Sequence, residues 1–312
     1  MKICMVGLGS IGKRHVNNLI KVLKEREVTY EIDALRNSRT DLPDDLREVI
    51  DRQYYSVEDL PDDYDILFVT NPTSCHYDTI KKTIAKTKHM FIEKPIFDSL
   101  YYKLESLPLR SDSVYYVACP LRHKSILRYV KEEILTREKV ISARMLSSSY
   151  LPVWRQNVDY RNVYSAKKDM GGGVTKDLIH EWDYALYLFG RPKRVFHLQK
   201  HLSGLEIDSD DISVYMAEYP EMLLEIHLDY IGHKTERMLQ LFTDQKRLDV
   251  DLLANIVYEY ANDEMTRELK FPEEDFYINE MIYFMDCIER EIPKINTVAN
   301  AYDTLKIVLT GG

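Results

Sequence analysis

Three short segments of the sequence contain the residue types that phosphate binding and proton transfer require. They are the glycine-rich stretch Gly7–Gly12, the tripeptide Glu93–Pro95 and the segment Asp177–His180, which begins with an acid and ends with a histidine. Glycine lets a backbone approach a phosphate closely, lysine can stabilise negative charge on an oxygen, and histidine exchanges protons near neutral pH. Together these segments predict a site that binds a phosphate-bearing group and acts on a hydroxyl or carbonyl.

The sequence GLGSIG at residues 7–12 fits the pattern G-x-G-x-x-G. It follows an apolar strand predicted over Lys2–Val6 and begins a helix predicted over Ile11–Glu25. In this context the glycines allow a tight turn against a pyrophosphate, which the free N–H groups of the helix N-terminus stabilise. The predicted pyrophosphate contacts are Gly7, Gly9, Ser10, Ile11 and Gly12. The alternative is a glycine-rich turn in an unrelated α/β domain.

The end of the second predicted strand, Tyr30–Leu35, bears on the choice of dinucleotide. An NAD enzyme usually has Asp or Glu there, bonded to the ribose 2′-OH. Here the chain continues with Arg36, Asn37, Ser38 and Arg39. Because arginine can pair with a 2′-phosphate through its planar fork, these four residues favour NADP over NAD. The alternative is a solvated basic loop, with NAD still accepted.

Lys94 stands at the end of a predicted parallel strand, His89–Ile92, where ligands bind in open α/β sheets. A lysine here can hold a substrate hydroxyl and favour its alkoxide, so Lys94 is a predicted catalytic residue that also lies in the cofactor site. The other residues predicted to line that site are Asn71, Pro72, His76 and Glu93. The alternative is a surface Glu-Lys pair before a turn proline.

His180 is the predicted general base. On a helix predicted over Val174–Phe189, Asp177, His180 and Asp183 are spaced by three and share one face. Asp177 could orient His180 or bind the substrate. A metal site at His180 and its acidic neighbours lacks the H-E-x-x-H spacing, so no metal is expected.

An aromatic and basic stretch, Leu151–Met170, has no helical or strand period and is a candidate substrate loop. Aromatic rings can stack on a sugar or base, and arginines can form forked bonds to phosphate or carboxylate. The predicted substrate contacts are Arg122, Trp154, Arg155, Tyr160 and Arg161, together with Asp177 and His180. The alternative is a surface loop whose rings simply pack on the sheet.

The elements that must position these residues fall into two domains. Residues 1–119 alternate apolar strands with helices, one of them predicted over Ser99–Leu107, which indicates a doubly wound parallel sheet that binds NAD(P). Residues 120–312 begin with a helix predicted over Leu121–Leu135 and contain successive strands from Val195 to Tyr260. This second pattern predicts an α+β domain with a largely antiparallel sheet, which also contains the candidate substrate loop.

Composition limits the partners. The chain of 312 residues has 42 Lys and Arg against 51 Asp and Glu, a net charge of -9, which disfavours nucleic acids and anionic membranes as partners. Its four cysteines form no C-x-x-C pair, which is typical of a reducing compartment. With neither a signal-peptide pattern nor a long apolar run, a cytoplasmic location is expected.

The motifs GLGSIGKRH at 7–15, NPTSCH at 71–76, EKP at 93–95 and GGG…D…H at 171–180 together resemble the Gfo/Idh/MocA oxidoreductase family. The resemblance implies an N-terminal Rossmann domain, a C-terminal domain with an open antiparallel sheet, and NAD(P)-dependent oxidation or reduction of a sugar, cyclitol or related hydroxyl. It also implies a homo-oligomer, a dimer or tetramer formed through the sheet face. Many members space the Asp and His by four, whereas here the interval is three.

The segment W-R…D-Y-R…Y-S-A at 154–166 resembles a branch of the family linked to nucleotide-sugar pathways. Two alternatives remain open. One is a reductase of a non-sugar carbonyl, and the other is a catalytically silent NAD(P)-binding regulator.

Overall fold

The computed structural model describes residues 1–311, which divide into two compact units. The first unit contains Met1–Pro120 and Asp275–Tyr302, and the second contains Leu121–Glu274 and the chain from Asp303 onward. The expected boundary near residue 119 assigned the whole of 120–312 to one domain. In the structure, Asp275–Tyr302 instead belongs to the first unit, because the apolar side chains of this segment complete that unit's core.

Eight α-helices are described in residues 1–311. They are α1 (Ser10–Glu25), α2 (Asp44–Arg47), α3 (His76–Thr83), α4 (Ser125–Tyr129), α5 (Val174–Asp177), α6 (His180–Phe189), α7 (Phe276–Glu289) and α8 (Val298–Thr310). In the first unit α7 packs on α1. Met281, Phe284 and Met285 of α7 are fully buried in the same core as Ile3 and Phe68 of the sheet.

A six-stranded parallel sheet forms the centre of the first unit. Its strands are β1 (Lys2–Val6), β2 (Glu31–Leu35), β3 (Arg52–Tyr54), β4 (Tyr64–Val69), β5 (Thr87–Ile92) and β6 (Tyr115–Val117). Their spatial order is β3-β2-β1-β4-β5-β6, so the order reverses between β1 and β4. The predicted doubly wound parallel sheet is confirmed. A crevice for ligands is expected at this reversal, outside the carboxyl ends of the strands.

The second unit contains an eight-stranded sheet. Its strands are β7 (Ser142–Tyr150), β8 (Arg194–Lys200), β9 (Ile212–Glu218), β10 (Leu223–Asp229), β11 (Ile231–Phe242), β12 (Arg247–Asp251), β13 (Ile256–Ala261) and β14 (Glu264–Lys270). The order is β14-β13-β12-β11-β7-β10-β9-β8, and each neighbouring pair is antiparallel except β10 with β7. The predicted open, mainly antiparallel sheet is confirmed.

The edge strand β8 and the next two strands, β9 and β10, expose large apolar side chains on one face. Alternate residues of β9 are buried, which leaves the residues between them on the opposite face. The members of this open apolar face are Phe196, Leu198, Val214, Met216 and Leu223. Leu198 is 74% exposed, so the face is uncovered within the chain.

The helices predicted over 99–107 and 121–135 differ from the structure. Residues 99–107 contain only a 3₁₀ turn at Leu104–Ser106, because Tyr102 stacks on Tyr77 and its carbonyl accepts a hydrogen bond from the Tyr302 hydroxyl. A carbonyl used in this way is not available to a helical N–H. The segment predicted as one helix over Leu121–Leu135 is a 3₁₀ turn, then α4, then a π-helical turn over Val130–Ile134.

Candidate cofactor and catalytic sites

The turn after β1 is so tightly packed that two of its positions require glycine. Gly7 has φ +91°, and a Cβ on it would lie 2.8 Å from the backbone nitrogen of Asn71, which follows β4. A Cβ on Gly12 would lie 2.4 Å from the Gly7 carbonyl oxygen and 2.8 Å from Thr70 Oγ1. The turn is therefore held directly against the end of β4, at the reversal of strand order.

Gly9 differs from its two neighbours in the motif, because a Cβ on it would meet no atom within 4 Å. Gly9 is also the N-cap of α1, and no side chain caps this helix end. The first N–H groups of α1, including those of Ser10 and Ile11, have no intrahelical partner. This combination of open space, glycine and free N–H groups fits the pyrophosphate of a dinucleotide.

The segment after β2 contains the four residues predicted to select the dinucleotide. Arg36 is half-buried and donates to Gln53 Oε1 at 2.6 Å, while Asn37, Ser38 and Arg39 are exposed. The Arg39 guanidinium lies 4.7 Å from the centre of the Tyr55 ring. These contacts leave a basic, polar strand end without a carboxylate.

Asp33, which belongs to β2, does not supply that carboxylate. It is buried and accepts a hydrogen bond from the Tyr64 hydroxyl at 2.8 Å. Asp33, the acid nearest in sequence to the expected ribose position, is therefore buried and already bonded to Tyr64.

Glu93 and Lys94 follow β5, two strands away from β1 on the same edge of the sheet. Glu93 is buried, and its Oε1 lies 2.5 Å from His15 Nε2 of α1. Its Oε2 accepts a hydrogen bond from the backbone N–H of Lys94 at 3.0 Å. Burial alone would raise the pKa of Glu93, but the His15 hydrogen bond and the charges of His15 and Lys94 outweigh it, so the pKa is lowered.

His76 supports the same turn from the opposite side. It is buried, its Nε2 lies 2.9 Å from the Asn71 carbonyl oxygen, and its Nδ1 lies 3.0 Å from the carbonyl oxygen of Pro95. Burial lowers the pKa of His76, against these carbonyl contacts and the charge of Glu93, which favour the protonated ring. His76 therefore holds the turn in place, while Pro72 before it is exposed.

The structure brings Asn71, His76, Glu93 and Lys94 together at the ends of β4 and β5. It also adds His15, which the sequence analysis did not select. The sequence signal was its position: three residues after Gly12, it lies about one helical turn further along α1.

In the second unit, the glycine triplet at 171–173 is clamped by the segment before β9. A Cβ on Gly173, which has φ +116°, would lie 2.3 Å from Asp210 Oδ1. Asp210 Oδ2 accepts hydrogen bonds from both the N–H and the hydroxyl of Thr175, at 2.8 and 2.6 Å. The start of α5 is therefore fixed by a carboxylate that no residue larger than glycine at 173 would permit.

The helix predicted over Val174–Phe189 is interrupted. It ends at Asp177 and starts again at His180, because Leu178 leaves the helical region with φ −96° and ψ 29°. Asp177, His180 and Asp183 consequently do not share the face of one continuous helix, which corrects the expectation from their spacing. His180 is half-buried and is the first residue of α6.

Asp177 is buried and accepts a hydrogen bond from the Tyr230 hydroxyl at 2.6 Å. Burial raises the pKa of Tyr230 well above its ordinary value, and the Asp177 carboxylate raises it further, so Tyr230 keeps its proton and donates. The Trp154 ring packs edge-on against Tyr230, with ring centres 5.1 Å apart. Tyr230 thus links Asp177 to the predicted substrate loop.

Two of the three arginines predicted to contact substrate have carboxylate partners within the second unit. Arg122 is buried and donates from Nε and Nη2 to Asp183 at 2.9 and 2.8 Å. Arg161 is exposed and donates to Asp159 at 2.9 Å. Both positive charges are therefore compensated by acids of the same unit.

Trp154, Arg155 and Tyr160 line a small surface pocket with a free volume of about 10 Å³, enough for roughly one water molecule. The remaining lining residues are Leu151, Pro152, Val158, Val163 and Ser165. The pocket combines apolar walls with an exposed arginine.

Within residues 1–311, no helix has the length and apolar character needed to cross a membrane.

Residues 1–104 match the model of an oxidoreductase family with an NAD-binding Rossmann fold. The scyllo-inositol 2-dehydrogenase (NADP(+)) IolW of Bacillus subtilis is 28% identical over 206 residues, which are 62% of this chain and 53% of that protein. The chain spans about half the length of the curated relatives it matches.

Solved structures share the fold over nearly the whole chain. Levoglucosan dehydrogenase in complex with NADH superimposes with a TM-score of 0.83 at 14% identity, covering 99% of this chain and 95% of that one. The WlbA dehydrogenase from Bordetella pertussis, in complex with NADH and UDP-GlcNAcA, gives 0.77 at 16% identity, with 99% and 94% covered. These similarities extend the shared fold to the second unit. In sequence, the first 104 residues are similar to the NAD-binding Rossmann domain of the Gfo/Idh/MocA oxidoreductase family.

Proposed function

We propose that the protein is an NAD(P)-dependent dehydrogenase or reductase that interconverts a hydroxyl and a keto group on a sugar, cyclitol or nucleotide-sugar. The observation that carries this proposal is the placement of Lys94 after β5, on the same sheet edge as the glycine turn and the open N-terminus of α1. A dinucleotide bound there supplies hydride transfer at its nicotinamide ring, which is the cofactor's own chemistry.

The chain's residues have separate roles in this proposal. The first N–H groups of α1 bind the pyrophosphate, and Gly9 leaves room for it. The Lys94 ammonium holds the reacting oxygen and stabilises its negative charge. His180 accepts the hydroxyl proton in oxidation and returns it in reduction, while Asp177, held by Tyr230, contacts the substrate.

The substrate class is supported by the chemistry of Trp154, Arg155 and Tyr160, whose side chains lie beside one another. An aromatic wall can stack on a sugar face, and an exposed guanidinium can bind phosphate or carboxylate. A relative that is named for scyllo-inositol and neighbours solved with levoglucosan or a UDP-sugar agree with this class.

We favour NADP as the cofactor. Arg36 and Arg39 supply two guanidinium groups after β2, and the only acid of the inner part of that strand, Asp33, is engaged by Tyr64. A 2′-phosphate would gain charge-assisted hydrogen bonds there. One relative is named for NADP(+), in agreement with this choice.

The open apolar face of β8, β9 and β10 supports a homo-oligomer. Five large apolar side chains on one face of a sheet are costly to leave in water, and a second copy of the same face would cover them. The free cysteines Cys4, Cys75, Cys119 and Cys287 agree with a reducing, cytoplasmic setting.

The test is a turnover assay of the purified protein with NADP or NAD against inositols, levoglucosan and UDP-sugars. Lys94→Ala is expected to abolish turnover and to retain cofactor binding in a titration. Wild-type turnover in Lys94→Ala would contradict the catalytic role of Lys94. Cofactor binding without turnover of any substrate would instead favour a silent regulator.

A further inference from the structure

The Glu93 carboxylate connects the helix that begins at the pyrophosphate site with the turn that carries Lys94. We propose that His15 is a positioning residue that sets the orientation of Lys94 through this carboxylate. The inference rests on the proposed function, because it assigns His15 a part in the same reaction. His15 itself is fully buried and touches neither substrate nor cofactor in this scheme.

The connection consists of consecutive short contacts. His15 Nε2 lies 2.5 Å from Glu93 Oε1, and Glu93 Oε2 accepts the backbone N–H of Lys94 at 3.0 Å. The His15 and Glu93 side chains are only 1% and 9% exposed. Because the two carboxylate oxygens serve different partners, a shift of the ring moves the carboxylate and with it the peptide plane of Lys94.

Aromatic packing holds the His15 ring in the orientation that brings Nε2 to Glu93. It packs against Phe91, with ring centres 4.8 Å apart, and lies 6.4 Å from Tyr277 of α7. Its Nδ1 has no hydrogen-bond partner among residues 1–311. The contact between Nε2 and the carboxylate is therefore the only hydrogen bond of the ring among these residues.

Aromatic packing alone would be satisfied by phenylalanine at position 15. The polar ring is informative because Glu93 would otherwise be a buried carboxylate without a side-chain donor. The bond to an ionised acceptor is of the charge-assisted kind, which fixes geometry more strongly than a neutral pair. Lys94 needs such fixation, since a displacement of about 1 Å in a catalytic group can cost about 100-fold in rate.

Three variants separate positioning from packing. His15→Phe fills the ring's space without a donor, His15→Gln keeps an N–H near the Nε2 position, and Glu93→Gln keeps acceptor and size without charge. His89→Gln is the matched control, because His89 lies on β5 and contacts the backbone N–H of Val114, away from the Lys94 turn. Each variant is measured for kcat, KM, cofactor Kd and melting temperature.

We expect His15→Phe to lower kcat by about tenfold or more, while the cofactor Kd changes by less than about threefold. His15→Gln is expected to recover kcat to within about threefold of the wild type. His89→Gln should behave as the wild type in kcat. A loss of melting temperature with kcat unchanged in His15→Phe would overturn the proposal, because it describes packing alone.

If His15→Phe does not fold, the double variant His15→Phe/Glu93→Gln leaves no buried carboxylate unpaired and is compared with Glu93→Gln. Equal kcat in the double variant and in Glu93→Gln supports the proposal that His15 acts on Lys94 through Glu93. A further loss of kcat in the double variant overturns it. The proposed function fails separately, through retained turnover in Lys94→Ala. An inactive Lys94→Ala beside a fully active His15→Phe rejects only the role of His15.

Discussion

The guanidinium of Arg122 forms a forked pair with the carboxylate of Asp183, in which Nε and Nη2 each donate to one oxygen. Both side chains are buried, and the pair joins the 3₁₀ turn at Pro120–His123 to the first turns of α6. The same helix begins with His180. The pair therefore fixes the helix that presents the proposed general base.

Arg122→Ala is expected to reduce the free energy of unfolding of the second unit by about 3–5 kcal/mol, because it leaves the Asp183 carboxylate buried without its forked partner. Urea unfolding followed by tryptophan fluorescence measures this, since Trp154 and Trp182 both belong to the second unit. The control Arg122→Met/Asp183→Leu removes both charges and should lose less. Equal losses in the two variants would mean that the pair is not what stabilises this region.

Gly9→Ala and Gly12→Ala are expected to fail in different ways. A Cβ at Gly12 would lie 2.4 Å from the Gly7 carbonyl oxygen, so Gly12→Ala should lower the melting temperature. A Cβ at Gly9 meets no protein atom within 4 Å, so Gly9→Ala should keep the melting temperature and raise the cofactor Kd by about tenfold or more. Thermal unfolding with and without cofactor checks both. Unchanged cofactor binding in Gly9→Ala would place the pyrophosphate elsewhere.

Arg36→Ala is expected to raise KM for NADP by about tenfold or more, because one charge-assisted contact to the 2′-phosphate is lost. KM for NAD should stay within about twofold, since NAD lacks that phosphate. Initial rates with each cofactor give the ratio. Arg47→Ala is the control, because Arg47 is an exposed arginine of α2 paired with Asp44. A parallel change for both cofactors would contradict NADP selection by this segment.

Acid should destabilise the second unit partly through His123. Burial, with the charges of Arg122 and Arg128, lowers the pKa of His123 from 6.5 to about 3. Below pH 6.5, His123 is protonated in the unfolded chain but stays neutral in the folded chain. The free energy of unfolding therefore falls as the pH decreases toward 3. The slope from this group is at most about 1.4 kcal/mol per pH unit.

His123→Gln removes this contribution. The difference in unfolding free energy between the wild type and His123→Gln is expected to be constant above pH 6.5 and to move in favour of the variant as the pH falls. Urea titrations across that range, followed by tryptophan fluorescence, measure it. Parallel stability profiles for the two proteins would show that His123 titrates alike in the folded and unfolded states.

The parts of the fold that local sequence determines could be predicted. The glycine turn, the buried runs of β1 and β4 and the alternating strands of the second unit each depend on neighbours within a few residues. β14 was missed because six of its seven residues are exposed, so it has no apolar alternation to detect. The parallel pairing of β7 with β10 depends on distant chain segments and has no local signal.

The candidate sites show the same division. Lys94 and His180 could be identified by residue type and motif. The residues that hold their neighbours Glu93 and Asp177 in place could not. Asp177 is bonded by Tyr230, 53 positions away, and Glu93 by His15, 78 positions away. The break at Leu178 likewise arises where α5 is held by distant side chains, while the sequence around it continues a helical pattern.

Because Asp275–Tyr302 returns to the first unit, the polypeptide passes from one unit to the other at residues 120–121, 274–275 and 302–303. Residues 1–120 alone would lack Met281, Phe284 and Met285, and would expose the apolar side chains that these residues cover. During synthesis, the core of the first unit therefore cannot be completed until α7 has left the ribosome. The second unit is made in that interval, so the cofactor-binding half of the protein, although translated first, is completed late.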